Sequence, residues 1–311
     1  MFSTVRILSR LFLTLTLLCG AESCAGERET TDPVPAAETP ANGGESVESL
    51  LQRGLAAFAS EEHTEARAIF EEATRRDPRA CIAYLHLGDI VAPEDRAAAI
   101  AYWYNALKCD PGKERWYGHV AAQMIDLGEL GEAEKILLRG VANVPESAYL
   151  LRGLAHMNLL CGRSARAARL YERVLMDHPG DIEALCQLAM IRIDEGGVED
   201  GGKLLAGLPA IDDGLGLMAL TRARLADGIG DAEQAARLYA AALEKNMQPY
   251  ERHRALRNYA ALLSATGRDR EAGQYVSEAI ELEDKWPHLA KPSEKTHDEK
   301  KDTGAAPEKS R

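Results

Sequence analysis

Small and large apolar residues recur along this chain in a fixed order. Ala66, Ala99, Ala133, Ala167, Ala235 and Ala272 are each followed four residues later by a bulky side chain: Phe70, Trp103, Leu137, Tyr171, Tyr239 and Val276. Three residues beyond those stand Ala73, Ala106, Gly140, Val174, Ala242 and Ala279. Offsets of four and then three place each trio on one face of a helix. The small members let a neighbouring helix approach, and the large one fills the groove between them. The first five alanines are separated by 33, 34, 34 and 68 residues, so the helix belongs to a repeated unit.

A second stripe precedes each of these helices. Its markers are Leu50 and Gly54; Tyr84, Leu87 and Gly88; Tyr117, Val120 and Ala121; Leu151, Leu154 and Ala155; Leu185, Leu188 and Ala189; and Leu256, Tyr259 and Ala260. They follow the i, i+3, i+4 rule of an amphipathic helix with a small residue at the contact point. Gly128, Gly162, Gly196, Gly230 and Gly267 divide the two stripes, where a helix C-cap takes positive φ. Pro78, Pro111, Pro145 and Pro179 each lie twelve residues beyond the alanine of their unit, where proline ends the second helix.

With both helices placed, the chain resembles the tetratricopeptide repeat family, whose helix-turn-helix unit is about 34 residues long. The resemblance implies an all-α, right-handed superhelical solenoid of about seven units over residues 47–284. Units at 47–80, 81–113, 114–147 and 148–181 match best, the second being one residue short between its helices. Units at 216–249 and 253–284 match less well, with Arg222 where an apolar residue is expected. Between them, 182–215 keeps its first helix but has Gly201 at the usual alanine and a glycine-rich stretch from Leu205 to Gly216. Whether the superhelix runs smoothly or bends there stays open. An aromatic fraction of 5% beside 46% apolar residues also argues against a long sheet.

The ends read differently. Arg6 and Arg10 precede the apolar run Leu11 to Leu18, and small residues follow at Ala21, Ser23 and Ala25. The apolar core is far shorter than the ~20 residues that cross a bilayer, so residues 1–25 read as a secretory signal peptide. Cys24, preceded by Ala21, Glu22 and Ser23, looks like the acylated cysteine of a lipoprotein signal but carries an acid among the small residues. Lipidation at Cys24 and cleavage after Ala25 both remain open. Residues 26–46 form a Pro/Gly-rich acidic linker, and 285–311 a charged tail, in which Trp286 and Leu289 either shield the terminal repeat or lie free. Export places the protein in the periplasm or on the periplasmic face of the outer membrane.

Inside the repeats, Cys81 opens a first helix and Cys109 closes the second helix of the same unit. Those ends adjoin in an antiparallel hairpin, so a disulfide is expected in an oxidising compartment. Cys161 and Cys186 sit at different heights in successive first helices and read as buried thiols. No motif organises catalysis, cofactor binding or a metal site: the run Gly196 to Gly202 lacks the lysine of a phosphate loop, and His86 and His119 lack a third converging ligand. A net charge of −12 disfavours nucleic acid.

In the family, one side of the first helices lines a concave groove. Carried onto this chain, the resemblance nominates Arg115, His119, Ile125, Tyr149, Arg152, His156, Gln187, Arg224, Arg257 and Asn258 as partner-binding residues. It implies a non-catalytic scaffold that holds an extended peptide or partner helix, with arginine meeting a carboxylate. The other reading is a structural subunit packed through its convex face or ends in a pilus, secretin or wall-synthesis assembly. The family's clamp of paired asparagines and lysines is matched by Asn258 alone, so that specificity is not carried over. The acidic leader, opposite in charge to the arginines, is a further candidate occupant of the groove.

Overall fold

Each stripe folds as a helix. The computed structural model describes residues 45–208 and 216–290, and these contain fourteen α-helices in seven consecutive pairs. The pairs are α1 Val47–Ala59 with α2 His63–Arg76, α3 Cys81–Val91 with α4 Arg96–Cys109, and α5 Glu114–Asp126 with α6 Leu130–Asn143. Then come α7 Ala148–Leu160 with α8 Ser164–Asp177, α9 Ile182–Asp194 with α10 Val198–Ala206, and α11 Gly216–Gly228 with α12 Ala232–Leu243. The last pair is α13 Pro249–Ala265 with α14 Asp269–Lys285, followed by a short 3-10 turn, Pro287–Leu289. This is the all-α solenoid of about seven helix-turn-helix units that the repeat spacing predicts. The signal segment with Cys24, the linker up to residue 44 and the tail from residue 291 lie outside the described residues.

The small-large-small trios are the packing joints. Ala66, Ala99, Ala133, Ala167 and Ala235 are fully buried, as are Phe70, Trp103, Tyr171 and Tyr239. At Gly88 the joint is tightest, because a Cβ there would lie 2.4 Å from the Trp103 ring. The pyrrole side of the tryptophan therefore lies against the backbone of α3. Its Nε1 donates to Asp89 Oδ1 at 2.9 Å, which satisfies the one polar atom of a buried ring.

The turn inside each unit explains the glycines. Gly128, Gly162, Gly196, Gly230 and Gly267 all have positive φ, between 69° and 92°. The first unit puts Glu61 in that position, with φ 65°. The second unit, the one that is a residue short, passes from Val91 to Arg96 without any positive-φ residue, and Asp95 caps α4 by accepting from the Ala98 N–H. Between units, Asp181 and Ser147 cap α9 and α7 in the same way, accepting from Ala184 N and Leu150 N.

The weak fifth unit has a physical cause. Its second helix, α10, is 9 residues long against 14 for α8, and Gly201 stands where a Cβ would meet Ile193 at 2.5 Å. So short a helix covers little of α11, the first helix of the next unit. Met190 of α9 instead packs with Leu220 and Ala223 of α11, first helix against first helix.

Cys81 and Cys109 are joined in a disulfide, with Cα atoms 5.5 Å apart, and Cys161 and Cys186 are buried. Leu289 differs from both expectations for it. It packs into the cluster built on α3 to α7, which contains Trp103, Tyr117 and Leu154, well away in sequence from the terminal repeat.

Candidate partner-binding site

Five of the ten nominated side chains are bonded to acids of the same chain, four of them about one repeat away. His119 Nε2 lies 2.9 Å from Asp89 Oδ1, the oxygen that also takes the Trp103 N–H. His86 Nδ1 approaches the other oxygen at 3.4 Å. Burial opposes ionisation of Asp89, but the two histidines outweigh it and hold its carboxyl far below the usual range; Asp89 in turn raises His119 against the effect of burial. Arg152 is paired with Asp181 and, at 3.0 Å through Nε, with Glu183. Arg224 bonds Asp194 at 2.9 Å and Asp227 at 3.2 Å. Arg257 and His253 converge on Glu283 Oε1 at 2.5 and 2.6 Å.

The remaining inner residues meet α13. Tyr250, at its start, packs on the clusters built on α3 to α7 and on α7 to α9, and its ring meets His156 of α7 edge-on, with centroids 5.3 Å apart. Burial pushes His156 down to about 4, helped by the nearby His288. Gln187 of α9, 1% exposed, donates to Glu251 Oε1 at 3.2 Å. Arg254 pairs with Asp194, the carboxylate that also holds Arg224. The last unit is thus tied to α7, α9 and α11 across the inner side. Asn258 of α13 is half-buried.

Beyond this closure one stretch is open. Beside the ends of α7 and α9 lies an open cleft of about 730 Å³, whose walls include Glu114, Glu146, Tyr149, Arg152, Asp177 and Asp181. Tyr149 leans on α5 where Gly118 leaves room, since a Cβ there would be 2.2 Å from its hydroxyl. Burial raises the Tyr149 phenol, and the exposed Arg115 acts against that shift. Ile125 is half-buried against the α3 to α7 cluster rather than in the cleft. The cleft wall carries four carboxylates beside Arg152, whose guanidinium is committed to its own chain. Of the nominated arginines near Tyr149, Arg115 and Arg152, Arg115 is the exposed one.

The particular pairings with these acids escaped sequence reasoning, although they left a signal. The pairs Asp89 with His119, Asp181 with Arg152 and Asp194 with Arg224 are separated by 30, 29 and 30 residues, one repeat less a few positions. The Gln187–Glu251 contact spans 64 residues and has no local signature.

With helix pairing, turn geometry and joint residues in place, the matches to known proteins are direct. Residues 51–114 and 220–289 match the family model for the tetratricopeptide repeat. Over those two stretches the chain is similar to the tetratricopeptide repeat. The matched stretches are the first two and last two pairs, and α5 to α10 between them repeat the same architecture. The fold is shared with a tetratricopeptide repeat protein from Parabacteroides merdae: 14% identity, 80% of this chain and all of that one, TM-score 0.61. Pseudomonas aeruginosa pilF is similar over 64% of this chain and 90% of its own, at 18% identity and TM-score 0.49. Among curated proteins, the 131 kDa subunit of transcription factor tau from Saccharomyces cerevisiae is 26% identical over 159 residues. That stretch is 51% of this chain, which spans only 16% of that relative's length. Among the described residues no group of His, Cys, Asp and Glu could hold a metal ion, and no helix is long and apolar enough to cross a membrane.

Proposed function

We propose that this protein is an exported scaffold of the bacterial cell envelope that holds an extended segment of a partner protein in the cleft between α5, α7 and α9. The observation that carries the reading is the division of the inner side: α13 covers α7 and α9 around His156 and Gln187, while the cleft at Tyr149 stays open. A segment with a cationic side chain beside apolar ones suits a wall that sets Glu114, Glu146 and Asp177 around an aromatic ring. Export is supported by the basic-then-apolar leader and by the Cys81–Cys109 bridge, since disulfides persist in oxidising compartments. Lipidation at Cys24 belongs to the same reading, and palmitate labelling of the full chain in a competent bacterial host tests it against the Cys24→Ser variant.

The cleft itself is tested by a photoreactive residue at position 149, with one at Arg237 on α12 as the outside control. Position 149 gives a discrete protein adduct in intact cells and position 237 does not; Glu114→Lys with Glu146→Lys removes the adduct. Equal adducts from both positions, or an adduct indifferent to the charge reversals, would sink the cleft reading in favour of packing through the outer face.

A further inference from the structure

The outer face of α8 differs from those of α2, α10 and α12. On α2, α10 and α12 an outward basic side chain is met by an acid on its own helix: Arg67 by Glu71, Lys203 by Glu199, Arg237 by Glu233. On α8, Arg166 and Arg169 are exposed with no hydrogen-bond or ion-pair partner among the described residues, and Arg173 donates only to the Pro145 carbonyl, at 2.8 Å. Its two acids offer little relief, because Glu172 is taken by Arg192 of α9 and Asp177 lies at the helix end.

Spacing completes the pattern. Arg166, Arg169, Arg173 and Met176 follow one another at three, four and three residues, so they form a single stripe about 15 Å long. Met176 is 79% exposed, and Leu138, at 51%, stands on the outer side of the neighbouring α6. Two ties fix the helices side by side: Arg163 to Glu134 at one end and Arg173 to the loop after α6 at the other. These two apolar side chains are half of the four large exposed hydrophobics among the described residues, and they flank three cations.

We propose that this stripe is a second docking surface, on the outer face, for an acidic amphipathic helix of a partner protein, whose carboxylates meet Arg166, Arg169 and Arg173 while its apolar edge covers Met176 and Leu138. Charge selects the occupant. The chain carries a net −12, so a broad anionic surface such as a phospholipid bilayer repels it as a whole. Only a ligand about one helix wide meets the arginines without facing the surrounding acids. Arginine suits the task because its planar fork pairs bidentately with carboxylate. The surface is independent of the inner cleft, so either reading can fail alone.

The test uses the full chain and a fluorescein-labelled amphipathic peptide of about 14 residues, long enough for the stripe, with glutamates along one face and leucines beside them. Anisotropy is read in parallel against the same peptide with glutamine for glutamate. The acidic peptide binds about tenfold tighter than its glutamine counterpart at low salt, and the advantage shrinks as salt rises. Arg166→Glu with Arg169→Glu removes it, Met176→Ala weakens binding about threefold, and Tyr149→Ala changes nothing. The substituted outer side chains are exposed, and thermal unfolding by circular dichroism confirms an unchanged fold. Equal binding of the two peptides, or indifference to the charge reversals, overturns the proposal. Sedimentation with phosphatidylglycerol vesicles that depends on Arg166 and Arg169, with no peptide binding, overturns it in favour of a lipid surface.

Discussion

Replacing Glu251 by glutamine should make the protein more stable at pH 8 and leave it nearly unchanged at pH 4.5. Glu251 is buried at the contact between α13 and α9, where burial raises its carboxyl from 4.5 to about 7; the neighbouring Glu183 adds to the shift, while the Gln248 N–H and Arg254 oppose it. Because the folded pKa is raised, the proton stabilises the fold. Its contribution is fully present below about 4.5 and is lost as pH rises through about 7. At about 1.4 kcal/mol for each tenfold change in proton affinity, the difference reaches about 3 kcal/mol. Glutamine keeps the local bonds: its amide oxygen can accept from Gln248 N, as Glu251 does at 2.9 Å. Its amide N–H can donate to Gln187 Oε1, which is buried without a hydrogen-bond partner among the described residues. The assay is urea unfolding by far-UV circular dichroism from pH 4.5 to 8, with hydrogen exchange read in α13 to localise the effect. The variant's advantage over wild type should grow with pH. Stability curves that run parallel across that range would refute the argument, because other titrating groups, His156 included, are common to both proteins.

Three further expectations follow from the packing joints and turns. Gly88→Ala drives a Cβ into a Trp103 ring already anchored by Asp89; overpacking outweighs the helix propensity gained and costs about 1–2 kcal/mol net, so a higher urea midpoint would contradict it. Glu61→Gly relieves a left-handed backbone at φ 65° and should raise stability by about 0.5–1 kcal/mol in the same assay. Reducing the Cys81–Cys109 bridge, which spans 28 residues, should lower stability by about 3.5 kcal/mol in the chain-entropy estimate, measured by unfolding with and without dithiothreitol and matched to Cys81→Ser.

The repeat is legible in the sequence because every joint is local. Ala167, Tyr171 and Val174 lie within one helix, and the glycine that turns the chain lies five residues ahead of each alanine that follows one. The Cys81–Cys109 pairing follows from the same local geometry. Closure of the inner side is not legible, because it depends on small angles between units adding up over 60 residues. Nothing near Gln187 announces Glu251, and nothing near His156 announces Tyr250. The nominated residues lie on first helices, as the family groove requires, but facing inward does not decide between an open wall and one covered by the chain's own last unit. That choice turned on α10, whose 9 residues let α9 pack against α11.

The disulfide also decides how the solenoid bears load. It joins the first residue of α3 to the last of α4, so tension applied along the chain crosses from Cys81 to Cys109 without entering the hairpin. About 95 Å of extended chain, at ~3.4 Å per residue, is withheld from any stretching event while the bridge is intact. Neighbouring pairs can peel away under force, taking His119 from Asp89 as they go, yet the ends of the second unit stay joined, which keeps α3 and α4 in register for the stack to zip up again.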